Sequence, residues 1–382
     1  MSISSFKIAN KLITGEGATS CIPSELARLK INNPLIITDK ILIEVGTVKK
    51  ITNLLKGIPY GIFDGVLPEP EFSLAKECTE TFINGGYDGL IAIGGGSAID
   101  IAKAVSAFSK YEGNVENLVG TDLVPAKGAP IIAVPTTAGT GSEVTNISIL
   151  SDSKTQLKKG VVSDFILPDT AIVSPEMTMS MPPSVTAASG IDALVHAIEA
   201  YISVNRSPIT DALALHAMKL ISVNLPKAYC NPNHIKAREN MATASLMAGM
   251  AFGNAGVGAV HALAYPLGGR YHIPHGVSNA LLLPYVMEWN KASCVERFRD
   301  IAEALGHDTR QLSDMEAADI AVKGMKKLCE IVRIPDGLRS FQIPEEDLEE
   351  MAEDASQIDR LLKNNPRVLT KQDIFAIYKE AY

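Results

Sequence analysis

The sequence predicts an α/β domain followed by an all-helical domain. Three observations predict it. Through about residue 180, short apolar runs alternate with helical patterns. After Met181-Pro182-Pro183 strand signals nearly vanish and helical periodicity takes over. Two loops rich in glycine and hydroxyls follow strand candidates in the first half, the usual place for a ligand in a parallel sheet.

The strand candidates, in order, are Pro34–Thr38, Tyr60–Phe63, Gly89–Ile93, Pro130–Val134, Gly160–Val162 and Ala171–Val173. They are continuous apolar runs, as expected for strands buried on both faces. Helical patterns lie between them at Leu42–Lys56, Phe72–Asn84 and Ala98–Lys110. The alternation implies a mostly parallel sheet covered by helices. In the second half, helices are expected at Val185–Ile202, Ile209–Asn224, Ile235–Ala251, Val295–Leu305, Ser313–Ile331, Glu345–Gln357 and Lys371–Ala381. The expected domains are residues 1–180 and 181–382.

Length agrees with two domains: the chain has 382 residues, and a domain takes roughly 100–200. With 43 acidic and 35 basic residues the net charge is −8, which argues against a nucleic-acid partner. The cysteines are Cys21, Cys78, Cys230, Cys294 and Cys329. Their odd number, without a C-x-x-C, argues against a disulfide framework and points to a reducing, cytoplasmic setting. The N-terminus has no apolar h-region, so no secretory signal is read there. Met241–Gly269 lacks Asp, Glu, Lys and Arg over 29 residues, long enough to span a bilayer. It also holds His261, Asn254 and six glycines, so it reads as a buried helix and loop rather than a membrane span.

Two loops carry the phosphate-binding signal. Gly94-Gly95-Gly96-Ser97 ends one strand and opens a helix that includes Asp100. Glycines let a backbone approach a ligand closely, and the helix N-terminus suits a pyrophosphate. The same residues also read as a tight turn with an S-x-x-D capping pattern. G-x-G-x-x-G is absent. The second loop, Pro135-Thr136-Thr137-Ala138-Gly139-Thr140-Gly141-Ser142-Glu143, crowds hydroxyls and small residues after a strand. It suits a ribose or phosphate, and equally an ordinary turn. Asp39 follows the strand PLIIT. There it can accept from a ribose and repel a 2′-phosphate, or simply cap the next helix.

The metal signal rests on a few of the seven histidines. Asp192 and His196 are four apart in a helical pattern and so share a face. His261 and His275 flank the glycine- and proline-containing segment ALAYPLGGRYHIP, which can fold back and bring them together. One carboxylate with three imidazoles suits a divalent transition metal. An i,i+4 pair and hydrogen-bonded core histidines remain the plain alternative.

Together these motifs resemble the iron-containing (group III) alcohol dehydrogenase family. The matching pieces are GGGSAIDIAK (94–103), PTTAGTGSEVT (135–145), MPPSVTAASGIDALVHAIEAYIS (181–203) and AGMAFGNAGVGAVHALAYPLGGRYHIPHGVSNALLLPYVMEWN (248–290). The resemblance covers nearly the whole chain. It implies a dehydroquinate synthase-like fold, a dinucleotide-binding domain ahead of a helical metal-binding one. It implies an NAD(H)-linked alcohol dehydrogenase or aldehyde reductase for a small primary alcohol or aldehyde. The metal would be Fe2+; Zn2+, as in the related glycerol dehydrogenases, is not separated by ligand type. The family's metal ligands fall on Asp192, His196, His261 and His275. Its NAD contacts fall on Asp39, Gly96, Ser97, Thr136, Thr137, Thr140, Thr145 and Lys158, with Gly95 and Asp100 in the same glycine motif. Phe252 falls at a pocket-lining position, and Ile147 follows the second loop near the expected substrate contacts.

Two departures stand out. Tyr265 occupies a position where many members carry a histidine near the nicotinamide, and Tyr285 replaces another histidine. A phenol, with its pKa near 10, is a poorer proton carrier at neutral pH. No arginine is clearly placed to take a substrate carboxylate. The competing activities are a hydroxyacid–oxoacid transhydrogenase and a zinc polyol dehydrogenase. The resemblance also implies a homodimer or larger homo-oligomer, with no membrane partner.

Overall fold

The computed structural model describes residues 4–152 and 157–382. The chain forms two compact units, Lys7–Met181 and Pro182–Tyr382, the latter together with residues 4–6.

The first unit runs β1 (Leu12–Thr14), α1 (Ile22–Leu29), β2 (Pro34–Ile37), α2 (Lys40–Glu44), α3 (Thr47–Thr52), β3 (Gly61–Phe63), α4 (Phe72–Asn84), β4 (Gly89–Gly94) and α5 (Gly96–Phe108). It continues through β5 (Gly120–Thr121), β6 (Ile131–Pro135), β7 (Ile147–Asp152), β8 (Leu157–Val162) and β9 (Thr170–Val173). Six strands form one sheet in the order β1-β9-β6-β4-β2-β3. Every pairing in it is parallel. Side chains alternate across it. Ile36, Ile91, Ile93, Ile132 and Val134 pack with Ile22 and Leu26 of α1 and Val48 and Ile51 of α3. Leu35, Ile37, Leu90, Ala92 and Ile131 pack with α4 and α5 on the other face. Burial on both faces is why these strands read as unbroken apolar runs.

The sheet changes direction between β2 and β4. From β2 the chain steps outward to β3, then returns to β4 on the other side and moves on to β6. Loops leaving the carboxyl ends of β2 and β4 therefore diverge, which opens a crevice suited to a ligand.

Several sequence expectations need correction here. The helix expected over Leu42–Lys56 is two short helices, parted at Gly46 with φ 77°. The strand expected at Gly160–Val162 belongs to β8 in a separate sheet, β5-β8-β7, where β7 and β8 run antiparallel. Strands β1, β5 and β7 were not expected. β1 is three residues long, too short for a periodic signal.

The second unit holds α6 (Pro183–Ile202), α7 (Pro208–Cys230), α8 (Ile235–Ala255), α9 (Ala259–Tyr271), α10 (His275–Asn290), α11 (Val295–Ala304), α12 (Asp314–Ile331), α13 (Leu348–Ser356), α14 (Asp359–Leu362) and α15 (Lys371–Glu380). The segment read as a fold-back loop is mostly helix: α9 runs through Pro266, and only His272–Pro274 make the turn. His272 takes the left-handed backbone there, φ 54°. A proline inside a helix removes one hydrogen bond. Burial of Leu263 and Leu267 in α9, and of Leu281–Leu283 around Pro284 in α10, offsets that loss. Among the described residues no single helix is long and apolar enough to cross a membrane. The uncharged stretch is bent by 102° between α8 and α9, and most of it is buried.

Candidate active site

In the first unit, the candidate residues gather at the carboxyl ends of β2, β4 and β6. Helix α5 starts at the glycine turn with Gly95 as N-cap and no side-chain cap. The capping pattern read at Ser97 and Asp100 is not formed. The N–H groups of the first turn are thus offered to a ligand, with the positive end of a 13-residue helix behind them. The glycines also let two loops meet. A Cβ on Gly96 would stand 2.9 Å from Thr140 Cγ2, and one on Gly95 would stand 3.3 Å from Thr137 Cγ2. Thr136 is tied to the glycine strand through its N–H, which donates to Gly94 O at 2.9 Å. Asp39 does cap: its Oδ1 accepts from Leu42 N at 2.9 Å. That bond uses one carboxylate oxygen, so capping and ribose binding are compatible.

Asp100, Thr145, Ile147 and Lys158 are engaged within the protein. Lys103 is fully buried, and its Nζ donates to Ser142 Oγ (2.8 Å), Thr145 Oγ1 (3.0 Å) and Ile147 O (2.7 Å). Asp100 accepts from Ser142 Oγ at 2.6 Å and Ile149 N at 3.0 Å. These bonds lash the threonine loop to α5. Lys158 pairs with Glu69 at 3.3 Å. Burial pushes the Glu143 carboxyl up to about 7, against the pull of its own backbone N–H and Lys103. Burial likewise pushes Lys103 down to about 8, against Asp100 and Glu143.

The second unit carries the metal-type cluster. Helix α6 places Asp192, His196 and Glu199 at i, i+4 and i+7, on one face. His261 sits in the first turn of α9, and His275 opens α10. Asp192, His261 and His275 each offer one donor atom, and these atoms lie within 4.8 Å of one another. His196 lies outside that triple but meets it, with its Nε2 3.0 Å from His261 Nε2. Burial tends to raise the Asp192 carboxyl. His196, His275 and His261, with a hydrogen bond from Asn279, outweigh it and hold the pKa below the usual carboxylate range.

Two supporting residues were missed by sequence reasoning. The first is Glu199. Its Oε2 accepts from His261 Nδ1 at 2.6 Å, and its Oε1 accepts from Val260 N at 2.6 Å. With a proton held on Nδ1 by Glu199, the other ring nitrogen of His261, Nε2, faces His196. A carboxylate behind a ligating imidazole is the usual support of a metal site. The second is Asn279, whose Nδ2 donates to Asp192 Oδ1 at 2.7 Å and lies 3.1 Å from His275 Nε2. Among the described residues its buried Oδ1 has no hydrogen-bond partner. The donor set, one carboxylate and three imidazoles with an oriented tautomer, fits a divalent transition metal. Glu199 was legible as an acidic residue continuing the face that Asp192 and His196 begin; Asn279, one turn past His275, carried no signal of its own.

The weaker candidates are also placed. Phe252 stacks on His196, centroids 4.2 Å apart at 16°. Tyr265 is one turn beyond His261 on α9, and its hydroxyl accepts from Arg360 Nη2 at 3.4 Å. Tyr285 faces Asp336 instead.

Both units match known families. Residues 9–175 match the model described as iron-containing alcohol dehydrogenase, and residues 186–382 match the C-terminal model of the Fe-containing alcohol dehydrogenase family. A long-chain-alcohol dehydrogenase from Geobacillus thermodenitrificans is 46% identical over 96% of this chain and 94% of its own. A crystal structure of a 1,3-propanediol oxidoreductase superposes with TM-score 0.97 at 39% identity, covering 100% of both chains. A sulfoacetaldehyde reductase from Bifidobacterium kashiwanohense, solved with NAD+, superposes with TM-score 0.91 at 30% identity over 100% of this chain and 99% of its own. Fold and relatives together define an oxidoreductase of the alcohol dehydrogenase class. The chain belongs to the iron-containing alcohol dehydrogenase family.

Proposed function

We propose that this enzyme interconverts a small primary alcohol and its aldehyde, using NAD(H) and Fe2+. Asp192, His196, His261 and His275 would hold the metal. Asp39, Gly95, Gly96, Ser97, Thr136, Thr137 and Thr140 would hold the dinucleotide, with Asp100, Thr145 and Lys158 supporting them from inside the protein. The observation that carries this reading is the buried carboxylate–imidazole cluster with Glu199 fixing the His261 tautomer. When bound, Fe2+ supplies Lewis acidity to the substrate oxygen, and NAD(H) carries the hydride.

The chain's own residues do the rest. Glu199 keeps the proton of His261 on Nδ1 and the other nitrogen available. Phe252 presents an apolar face beside His196 and keeps water from that side. The first turn of α5 offers N–H donors to the pyrophosphate, and the charge of Asp39 disfavours a 2′-phosphate, so NAD is preferred to NADP. Tyr265 stands where a histidine would otherwise serve as a proton carrier, so proton exchange runs through solvent.

The test is NADH oxidation under anaerobic conditions, with and without added Fe(II), across short aldehydes and small oxo acids. Iron-dependent turnover of an aldehyde supports the proposal. No turnover in protein shown to contain iron rejects it, and NAD retained through gel filtration would then point to transhydrogenation. We also infer a cytoplasmic homodimer or larger homo-oligomer. The free cysteines support the location, and exposed Ile41, Val45 and Leu67 support an interface between copies. Sedimentation and cell fractionation check these two inferences.

A further inference from the structure

We propose that Arg360 makes this site selective for substrates whose far end is anionic, a carboxylate, sulfonate or phosphate on a short aldehyde or alcohol. The inference rests on the catalytic reading above and names its substrate class.

Position comes first. Tyr265 follows His261 by one helical turn, about 6 Å along the axis of α9, and shares its face. Side chains on a helix lean toward its N-terminus, so Tyr265 leans back toward the His261 turn. Arg360, on the short helix α14, donates to the Tyr265 hydroxyl at 3.4 Å. Its backbone is held in place: Asn364 Nδ2 donates both to Arg360 O (3.3 Å) and to Val257 O (2.9 Å) in the approach to α9. The next residue, Leu361, is buried and anchors the helix.

Charge comes second. Arg270, on the same helix as Tyr265, is already neutralised by Glu350 at 2.9 Å and Asp354 at 2.6 Å. Arg360 forms no ion pair among the described residues, and its only described side-chain hydrogen bond is to the neutral phenol. Arg360 is exposed, so it presents an uncompensated guanidinium on the solvent side of the Tyr265 turn, one helical turn from His261. Its planar fork is suited to two oxygens of an anionic group. In this proposal a substrate with its oxygen toward the histidines extends along α9, and its far end meets this cation at the solvent side.

The experiment uses the full, iron-loaded enzyme and matched aldehydes. Succinic semialdehyde is set against butanal, and glycolaldehyde phosphate and 3-oxopropanesulfonate against neutral aldehydes of equal chain length. The anionic partner should win in kcat/KM by roughly 10–100-fold, the range of a charge-assisted contact. Arg360→Ala should collapse that ratio toward one, mainly through KM, and Arg360→Lys should restore part of it. The ranking of the three anions identifies the group. An unchanged ratio in Arg360→Ala, or a wild-type preference for the neutral partners, overturns the proposal. A second readout does not need turnover: calorimetric binding of succinate to the iron-loaded protein, with and without Arg360→Ala. If no aldehyde reacts, the catalytic reading fails, and this readout alone decides. Succinate binding that Arg360→Ala abolishes upholds the anion site; no binding by the wild type overturns it.

Discussion

Replacing Glu199 by Gln changes one atom and leaves the shape alone, so its consequences can be worked from the hydrogen bonds. The carboxylate accepts two N–H groups, from Val260 and from His261, each at 2.6 Å, with its side chain only 1% exposed. A carboxamide can accept one of them and must turn its NH2 toward the other. If the NH2 faces His261, the imidazole must move its proton to Nε2, and the nitrogen aimed at the cluster is blocked. If it faces Val260, two buried donors oppose each other at a cost of about 1–3 kcal/mol. The first arrangement weakens metal binding by blocking the ligating nitrogen, and the second by putting a neutral, weaker acceptor behind His261 in place of the carboxylate. The expected loss is roughly 10–100-fold in Fe2+ affinity, the range for supports of this kind. The assay is competition of the variant with a chelator for Fe2+ or Co2+, alongside the melting temperature of the metal-free form. A purely structural role for Glu199 would lower the melting temperature and leave the affinity of the folded protein alone. Metal affinity within about twofold of wild type would refute the tautomer argument.

Other predictions follow from the same geometry. His261→Ala should lose iron and activity together, checked by metal analysis; an active, iron-free variant would contradict the cluster's role. Gly96→Ala places a Cβ 2.9 Å from Thr140 Cγ2, so KM for NADH should rise several-fold or more while iron content stays unchanged. Asp39→Asn retains a good N-cap but loses the charge, so steady-state kinetics should show relaxed discrimination against NADPH with little change in melting temperature. Glu143 has its folded pKa raised to about 7 from an ordinary 4.5. Its contribution to stability is therefore fully present below the lower value and is lost as the pH rises through the higher one. Glu143→Gln should flatten the fall of melting temperature across that window; an unchanged slope would show that the carboxyl titrates normally. Lys103, lowered to about 8, gives the opposite slope at higher pH, so the two effects separate.

Much of the architecture was legible because its cause is local. The apolar strands of the parallel sheet, the helix over Phe72–Asn84 and the i,i+4 pair Asp192–His196 each declare themselves within a few residues. What was misread depends on contacts far along the chain. The segment around Pro266 read as a fold-back between His261 and His275, yet α9 continues through it because Leu263 and Leu267 are buried by neighbouring helices. Asp100 looked like half of a capping box, yet it is drawn instead to Ser142 and to Ile149 N. Arg360 could not be connected to Tyr265 from sequence, because 95 residues separate them. Glu199 was within reach: it continues the stripe that Asp192 and His196 begin, and a buried acid there needs a partner.

The pairing of β1 with β9 sets an order for synthesis. Leu12 lies beside Ala171 in the sheet, so β1 has no partner strand until the ribosome has added nearly all of the first unit. At ~5–20 residues per second that interval is roughly 8–30 s. During it β4, β2 and β3 can already pair, because their crossovers have emerged. The nascent chain thus carries a half-built sheet whose growing edge is β4, then β6, and whose first strand is the last to be seated. Helical neighbours in the second unit face a shorter wait, since α6, α7 and α8 are consecutive in the chain and pack against one another.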